Sequence, residues 1–223
     1  MTKDFMRFSA LIFDFDGVIA DSEYIANRVA AQLVTEIGYQ VSTEGALQLF
    51  VGKRSSDVRE IIERATGLTL TDFEAKLLSR TLDAFLDELE PIKGVRAFLD
   101  CHAEIPRCIA SSSSHARLNA SLAKIDLISH FAGRVFSADD VARGKPFPDL
   151  FLYAAKRLGA TPGEVLVIED SVGGVSAAKA AGMHVVGLLA GTHVRPGLSE
   201  RLEAAGADFL ANDYDDVARL LAH

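Results

Sequence analysis

Three observations predict an α/β fold: a parallel sheet with helices on both faces, interrupted near its start by an all-helical insertion. Beyond residue 90, short apolar runs rich in β-branched residues alternate with amphipathic stretches, as strands joined by crossover helices do. Between residues 21 and about 88 the apolar residues recur at helical spacing, and no strand pattern interrupts them. A first apolar run, Ala10 to Phe13, stands ahead of that block with no crossover helix of its own. The expected organisation is therefore one discontinuous α/β unit, residues 1–20 and 90–223, with a helical cap, residues 21–89, threaded between its first strand and the rest.

Each element has its own signal. The first strand runs into Asp14-Phe15-Asp16-Gly17, where Gly17 allows a sharp turn. Helical spacing follows in Val29 and Leu33, Leu47 and Phe50, Val58 with Ile61 and Ile62, and Phe73 with Leu77 and Leu78. Pro91 and Gly94 mark the change of pattern. The later strands are read at Cys108-Ile109-Ala110, Val135-Phe136, residues 165–168, residues 185–189 and Asp208-Phe209-Leu210, and a helix over 172–181. Gly38, Gly67, Gly159, Gly182 and Gly206 each follow an apolar-periodic stretch, where a helix needs a left-handed stop.

At 223 residues, nearly half of them hydrophobic, the chain can bury a sizeable core without covalent staples. Its two cysteines, Cys101 and Cys108, have no metal-type spacing and read as packing residues in a reducing compartment. A net charge of -8 argues against nucleic acid or an anionic membrane as partner. Residues 1–8 alternate charge and apolarity, so neither a signal peptide nor a membrane span is expected, and the expected location is the cytoplasm. A monomer is the expected state.

Ligands of open α/β sheets bind outside the carboxyl ends of the strands, so the polar residues after each apolar run carry the functional information. Asp14 and Asp16 end the first run, and their i, i+2 spacing in an extended segment points both the same way. Ser111 follows the second run, Lys145 stands in the loop Gly144-Lys145-Pro146 after the third, and Glu169 and Asp170 follow the fourth. Each has an ordinary explanation: an Asp-Gly turn, a serine-rich helix cap, a surface lysine, carboxylates on a helix dipole. Their joint placement at four strand ends is harder to assign to chance. Four carboxylates in one cleft repel unless a cation neutralises them, and an all-oxygen donor set suits Mg²⁺. A carboxylate can also attack phosphorus, with a lysine and a hydroxyl binding the transferring phosphoryl group.

Asp-Phe-Asp-Gly-Val-Ile, the post-strand Ser111, Gly-Lys-Pro-Phe-Pro-Asp and Glu-Asp-Ser-Val-Gly-Gly resemble, in order, the four motifs of the haloacid dehalogenase-like superfamily, and the match spans the whole core. The resemblance implies a Rossmann-like core with a helical cap of the kind found in the β-phosphoglucomutase and phosphoglycolate phosphatase group. It implies Asp14 as nucleophile, Asp16 as general acid and base, and Ser111 and Lys145 as phosphoryl binders. It implies a Mg²⁺ site of Asp14, the Asp16 carbonyl and Asp170, with Glu169 bound directly or through water. Gly17, Ser112, Lys53 and Arg54 are the expected substrate contacts, the last two as the only adjacent basic pair between residues 21 and 88.

The expected activity is a Mg²⁺-dependent phosphatase of small phosphorylated metabolites, sugar or polyol phosphates, working through an aspartyl-phosphate. A phosphomutase is the alternative, disfavoured because residues 21–27 lack the histidine that mutases of this group carry in the cap. A dehalogenase has no use for Asp16, and an aspartyl-phosphate receiver needs no inserted cap. His115 reads as a surface or capping residue, and Gly173-Gly174 as close packing beneath the site.

Overall fold

The structure, a computed structural model, describes residues 8–131 and 133–222. The opening segment read above as lacking a leader lies, for residues 1–7, outside the described residues. Strand β1 (Ala10–Phe13) is followed by four helices, α1 (Glu23–Glu36), α2 (Thr43–Phe50), α3 (Ser55–Thr66) and α4 (Phe73–Glu88). Next come α5 (Val95–Cys101), β2 (Arg107–Ser111), α6 (His115–Lys124), α7 (Ile128–Phe131), β3 (Val135–Ser137) and α8 (Asp149–Leu158). The chain ends with β4 (Val165–Glu169), α9 (Val172–Ala180), β5 (His184–Leu188), α10 (Leu198–Ala204), β6 (Phe209–Ala211) and α11 (Tyr214–Leu221).

The six strands form one parallel sheet in the order β3-β2-β1-β4-β5-β6. Central strand β1 pairs with β2 on one side and β4 on the other, aligning Ile12 with both Cys108 and Val167. Connections leave β1 in opposite directions, so a crevice opens at the carboxyl ends of β1 and β4. Alternation along the strands splits the core in two. Leu11, Phe13, Ile109, Leu166 and Ile168 pack on one face with Phe98, Leu118 and Phe131. Ala10, Ile12, Cys108, Val165 and Val167 pack on the other with Phe151, Val175 and Leu202. Covering both faces explains why these strands read as unbroken apolar runs.

Helices α1 to α4 enclose an apolar cluster of their own, built on Ala30, Leu33, Val34, Phe50, Val58, Ile62 and Phe73. Ile25 and Phe85, at the two ends of that helical block, belong instead to the cluster on the sheet. The connections into and out of it lie side by side, bridged by Ala20 and Pro91. The five glycines expected to stop helices all have positive φ, and at Gly67 and Gly159 the left-handed residue closes α3 and α8. The expectation for the cysteines holds for Cys108, which is buried between the sheet and α8; Cys101 is exposed at the end of α5, outside the apolar clusters of the described residues.

Candidate active site

Asp14 leaves β1 with its amide donating to the Ile168 carbonyl of β4, which fixes it at the mouth of the crevice. The chain then turns on Gly17, at φ +74°, and the loop is pinned by Tyr214 of α11, whose hydroxyl donates to the Val18 carbonyl at 2.9 Å. A side chain at position 17 has no room: an added Cβ would lie 1.8 Å from Asp170 Oδ2 and 2.8 Å from His193 Cε1. Gly17 therefore clears space for the Asp170 carboxylate.

Asp14, Glu169 and Asp170 offer carboxylate oxygens that all lie within 4.8 Å of one another, and all three residues are buried. Burial, reinforced by the neighbouring carboxylates and opposed by Lys145, pushes the Asp14 carboxyl well above the usual range. Burial also raises Asp170, against the pull of His193. Asp170 Oδ2 is buried and accepts no well-aligned hydrogen bond, although His193 Nε2 lies 3.0 Å away. Crowded, desolvated and partly unpartnered carboxylates are what a hard divalent cation requires, so these residues fit one.

Glu169 plays a different part from its neighbours. One oxygen accepts from Lys145 Nζ at 2.7 Å; the other accepts from the amides of Asp170 and Ser171, at 2.8 and 2.7 Å, and from Ser171 Oγ at 3.0 Å. Both oxygens of the carboxylate are engaged by the protein, and it shapes the turn from β4 into α9. Of the glycine pair in that helix, Gly174 is the one in close packing: a Cβ there would lie 1.6 Å from Glu169 Oε1, whereas nothing lies within 4 Å at Gly173.

Lys145 enters from the loop after β3, buried over the Phe151 ring, and bonds Asp14 Oδ1 at 2.7 Å as well as Glu169. Burial lowers its pKa, but Asp14 and Glu169 outweigh that and hold the ammonium above the ordinary lysine range. The serine run divides its labour. Ser111 is the last residue of β2, buried, its Oγ accepting from the Ser113 amide at 3.1 Å. Ser113 Oγ donates to Asp16 Oδ2 at 2.6 Å, and Ser114 caps α6. Ser112 lines the cavity with Ser111, Asp14 and Asp16.

The expected basic pair splits. Lys53 lines that cavity, of about 70 Å³, whereas Arg54 turns from it, donating to the Ala138 carbonyl at 2.8 Å and packing on Gly144. His115 sits at the rim of the sheet, 3.0 Å from Asp140, exposed and engaged there.

Residues 8–182, the segment that contains every strand-end residue of this crevice, match the haloacid dehalogenase-like hydrolases. The chain belongs to that family. Among its relatives, 6-phosphogluconate phosphatase of Escherichia coli is 31% identical over 192 residues, covering 85% of this chain and 86% of the relative. Fructose-1-phosphate phosphatase YqaB, also of Escherichia coli, is 31% identical over 185 residues, covering 81% and 96%. A conserved haloacid dehalogenase-like protein of unknown function from Agrobacterium tumefaciens superposes with a TM-score of 0.82 at 36% identity, covering 96% of this chain and 98% of that one. Family hydrolases of this kind generally use a divalent metal, and the acidic cluster is placed to hold one. Among the described residues, no helix is long and apolar enough to cross a membrane.

Within this haloacid dehalogenase-like site, three ionisable residues escaped the strand-end reasoning. Glu23, the first residue of α1, is buried and accepts from Asn27 Nδ2 at 2.7 Å and the Gly52 amide at 3.3 Å. Burial, with Asp16 and Asp170 nearby, raises its pKa to about 7. Arg117 of α6 reaches Asp16 Oδ1. His193, in the loop after β5, lies buried with Nε2 at 3.0 Å from Asp170 Oδ2; burial lowers its pKa, but Asp170 overrides this and raises it to about 9. That loop is tied down by Thr192, whose amide and hydroxyl both donate to Asp21 at 2.9 Å. Glu23 and Arg117 lie in the first turns of α1 and α6, the helices that follow the Asp14 and Ser111 motifs, and only helix geometry aims them inward; His193 had no neighbouring motif to mark it.

Proposed function

We propose that this chain is a Mg²⁺-dependent phosphatase of small phosphorylated metabolites, sugar or polyol phosphates, working through an aspartyl-phosphate. The observation that carries the reading is the buried Asp14 carboxylate, bonded to Lys145 at 2.7 Å and grouped with Glu169 and Asp170 beneath the cap. With Asp14 Oδ1 held by Lys145, the other oxygen is the attacking atom. It forms a bond to phosphorus as the bond from phosphorus to the substrate oxygen breaks, and Asp16 gives its proton to the departing alcohol. Asp16 then takes a proton from water; the hydroxide formed attacks phosphorus, the Asp14–phosphorus bond breaks, and phosphate leaves. Lys145 and Ser111 carry the phosphoryl oxygens through both steps. Asp14, Asp170 and the Asp16 carbonyl would hold Mg²⁺, with Glu169 at one remove, and the ion supplies the charge that lets a phosphate dianion approach these acids.

The two Escherichia coli relatives are a 6-phosphogluconate phosphatase and a fructose-1-phosphate phosphatase, which supports a sugar phosphate as the substrate class. Release of inorganic phosphate from a panel of sugar, sugar-acid and polyol phosphates, with Mg²⁺ and with EDTA, tests the proposal. Mg²⁺-dependent release from at least one of them is expected. Release undiminished by EDTA would overturn the metal assignment, and no release from any ester, p-nitrophenyl phosphate included, would overturn the phosphatase reading.

A further inference from the structure

The cavity lined by the acids Asp14, Asp16 and Glu23 also carries two cations that the phosphoryl chemistry does not use. Lys145 serves the phosphoryl group, but Arg117 and Lys53 line the same cavity further out. Lys53 has no ion-pair or side-chain hydrogen-bond partner among the described residues. The guanidinium of Arg117 lies 5.2 Å from the centroid of the Phe85 ring of α4, so it is sandwiched between core and cap. Its Nε is buried with no acceptor, while Nη2 spends itself on Asp16 Oδ1.

Anchoring Asp16 does not call for a guanidinium. Ser22 Oγ already donates to Oδ1 at 2.5 Å and Ser113 Oγ to Oδ2 at 2.6 Å, which fixes the carboxylate from both sides. An arginine with a spare Nε, a partner already held by two serines, and an aromatic face behind it is arranged to exchange that partner for a planar anion.

We infer that Arg117, assisted by Lys53, selects phosphate esters whose leaving group carries a carboxylate, binding it in the fork that holds Asp16. The inference rests on the phosphatase reading and narrows its substrate class to sugar-acid phosphates. It makes Arg117 a specificity residue as well as a neighbour of the acid.

The test compares kcat/KM for gluconate 6-phosphate, glucitol 6-phosphate and fructose 1,6-bisphosphate, with p-nitrophenyl phosphate as a reference ester, in wild type, Arg117→Gln, Arg117→Lys and Lys53→Ala. Wild type should favour the sugar acid over the matching alditol by about tenfold or more, the scale of a charge-assisted pair. Arg117→Gln should bring that ratio close to one whatever it does to the rate common to all esters. Arg117→Lys, which keeps the charge and loses the fork, should retain part of it, and Lys53→Ala should lower it less. A wild-type ratio near one overturns the inference without need of any variant. So does an equal loss on acid and alditol in Arg117→Gln with the ratio unchanged, which would leave Arg117 acting through Asp16 alone. A preference of the same size for the bisphosphate would put a second phosphate in place of the carboxylate. Failure to hydrolyse any of the esters would instead bring down the phosphatase reading, and this inference with it.

Discussion

The two ends of the cleft are built by opposite rules. At the sheet end, Lys145 is buried and bonded to both Asp14 and Glu169 at 2.7 Å, and Glu169 accepts from four donors in all. At the cap end, Lys53 stands unpaired among the described residues and Arg117 is only partly satisfied. Groups that act on the part every substrate shares can be fixed in advance, since preorganised charge costs no rearrangement during the reaction. Groups that read the variable part gain by keeping a free donor until substrate arrives. The contrast predicts that changes at the sheet end abolish turnover or stability, and that changes at the cap end redistribute it among substrates.

The largest effect is expected at Asp14. Asp14→Asn keeps the shape and removes the nucleophile, so single-turnover and steady-state rates should fall by roughly three orders of magnitude or more while the far-ultraviolet circular dichroism stays the same. Substantial turnover in that variant would mean that water attacks phosphorus directly. Chelation in the wild type should be equally silencing, and adding Mg²⁺ to chelated protein should raise its Tm, since an ion bound only by the folded state stabilises it.

Next comes Lys145. It is the one ammonium between two buried carboxylates, and Lys145→Met would leave both uncompensated. Chemical unfolding in EDTA should show a loss of about 3–5 kcal/mol, the usual result of removing one partner from a buried ion pair. A loss under about 1 kcal/mol would show that the two acids take up protons without strain, and that the sheet end is less rigid than its geometry indicates.

How far the sequence discloses this site follows the same division. Each strand was visible because both sheet faces are covered, and the acids, serine and lysine at the sheet end stand directly after those apolar runs. Position relative to a strand end is one-dimensional information. The cap end is not written that way. Arg54 and Lys53 are adjacent in sequence, yet one faces the cavity and the other the Ala138 carbonyl, a choice made by the N-terminus of α3. His193 approaches Asp170 only because Thr192 is tied to Asp21, a contact 171 residues apart in the chain. Glu169 stands beside Asp170, where the resemblance expects a ligand bound directly or through water, and the fold adds that its two oxygens also accept from Lys145 and from the turn into α9.

A smaller and pH-dependent effect is expected at Glu23, which bridges the two ends. Burial raises its carboxyl from 4.5 to about 7, so between those pH values the folded protein binds more protons than the unfolded chain. Stability therefore falls as pH rises through this window; below about 4.5 the group carries no penalty, and above about 7 it carries all of it. Glu23→Gln mimics the protonated form. In EDTA it should leave unfolding free energy unchanged at pH 4 and raise it at pH 8 by at most about 3 kcal/mol. A gain of equal size at both pH values would trace to packing and not to the buried charge.

The smallest effects should separate the two neighbours that the fold pulls apart. Arg54 ties the cap to the core through the Ala138 carbonyl and its packing on Gly144, so Arg54→Ala should loosen closure over every substrate. KM should rise by a similar few-fold factor for a sugar phosphate and for p-nitrophenyl phosphate. Lys53 faces the cavity, and Lys53→Ala should raise KM for the sugar phosphate more than for the small aryl ester, because only the former extends along the cap end. Equal behaviour of the two variants would erase the distinction between a cap anchor and a substrate contact. It would also return the loop to the single basic patch that its sequence suggests, and the division of the cleft would then begin at Arg117.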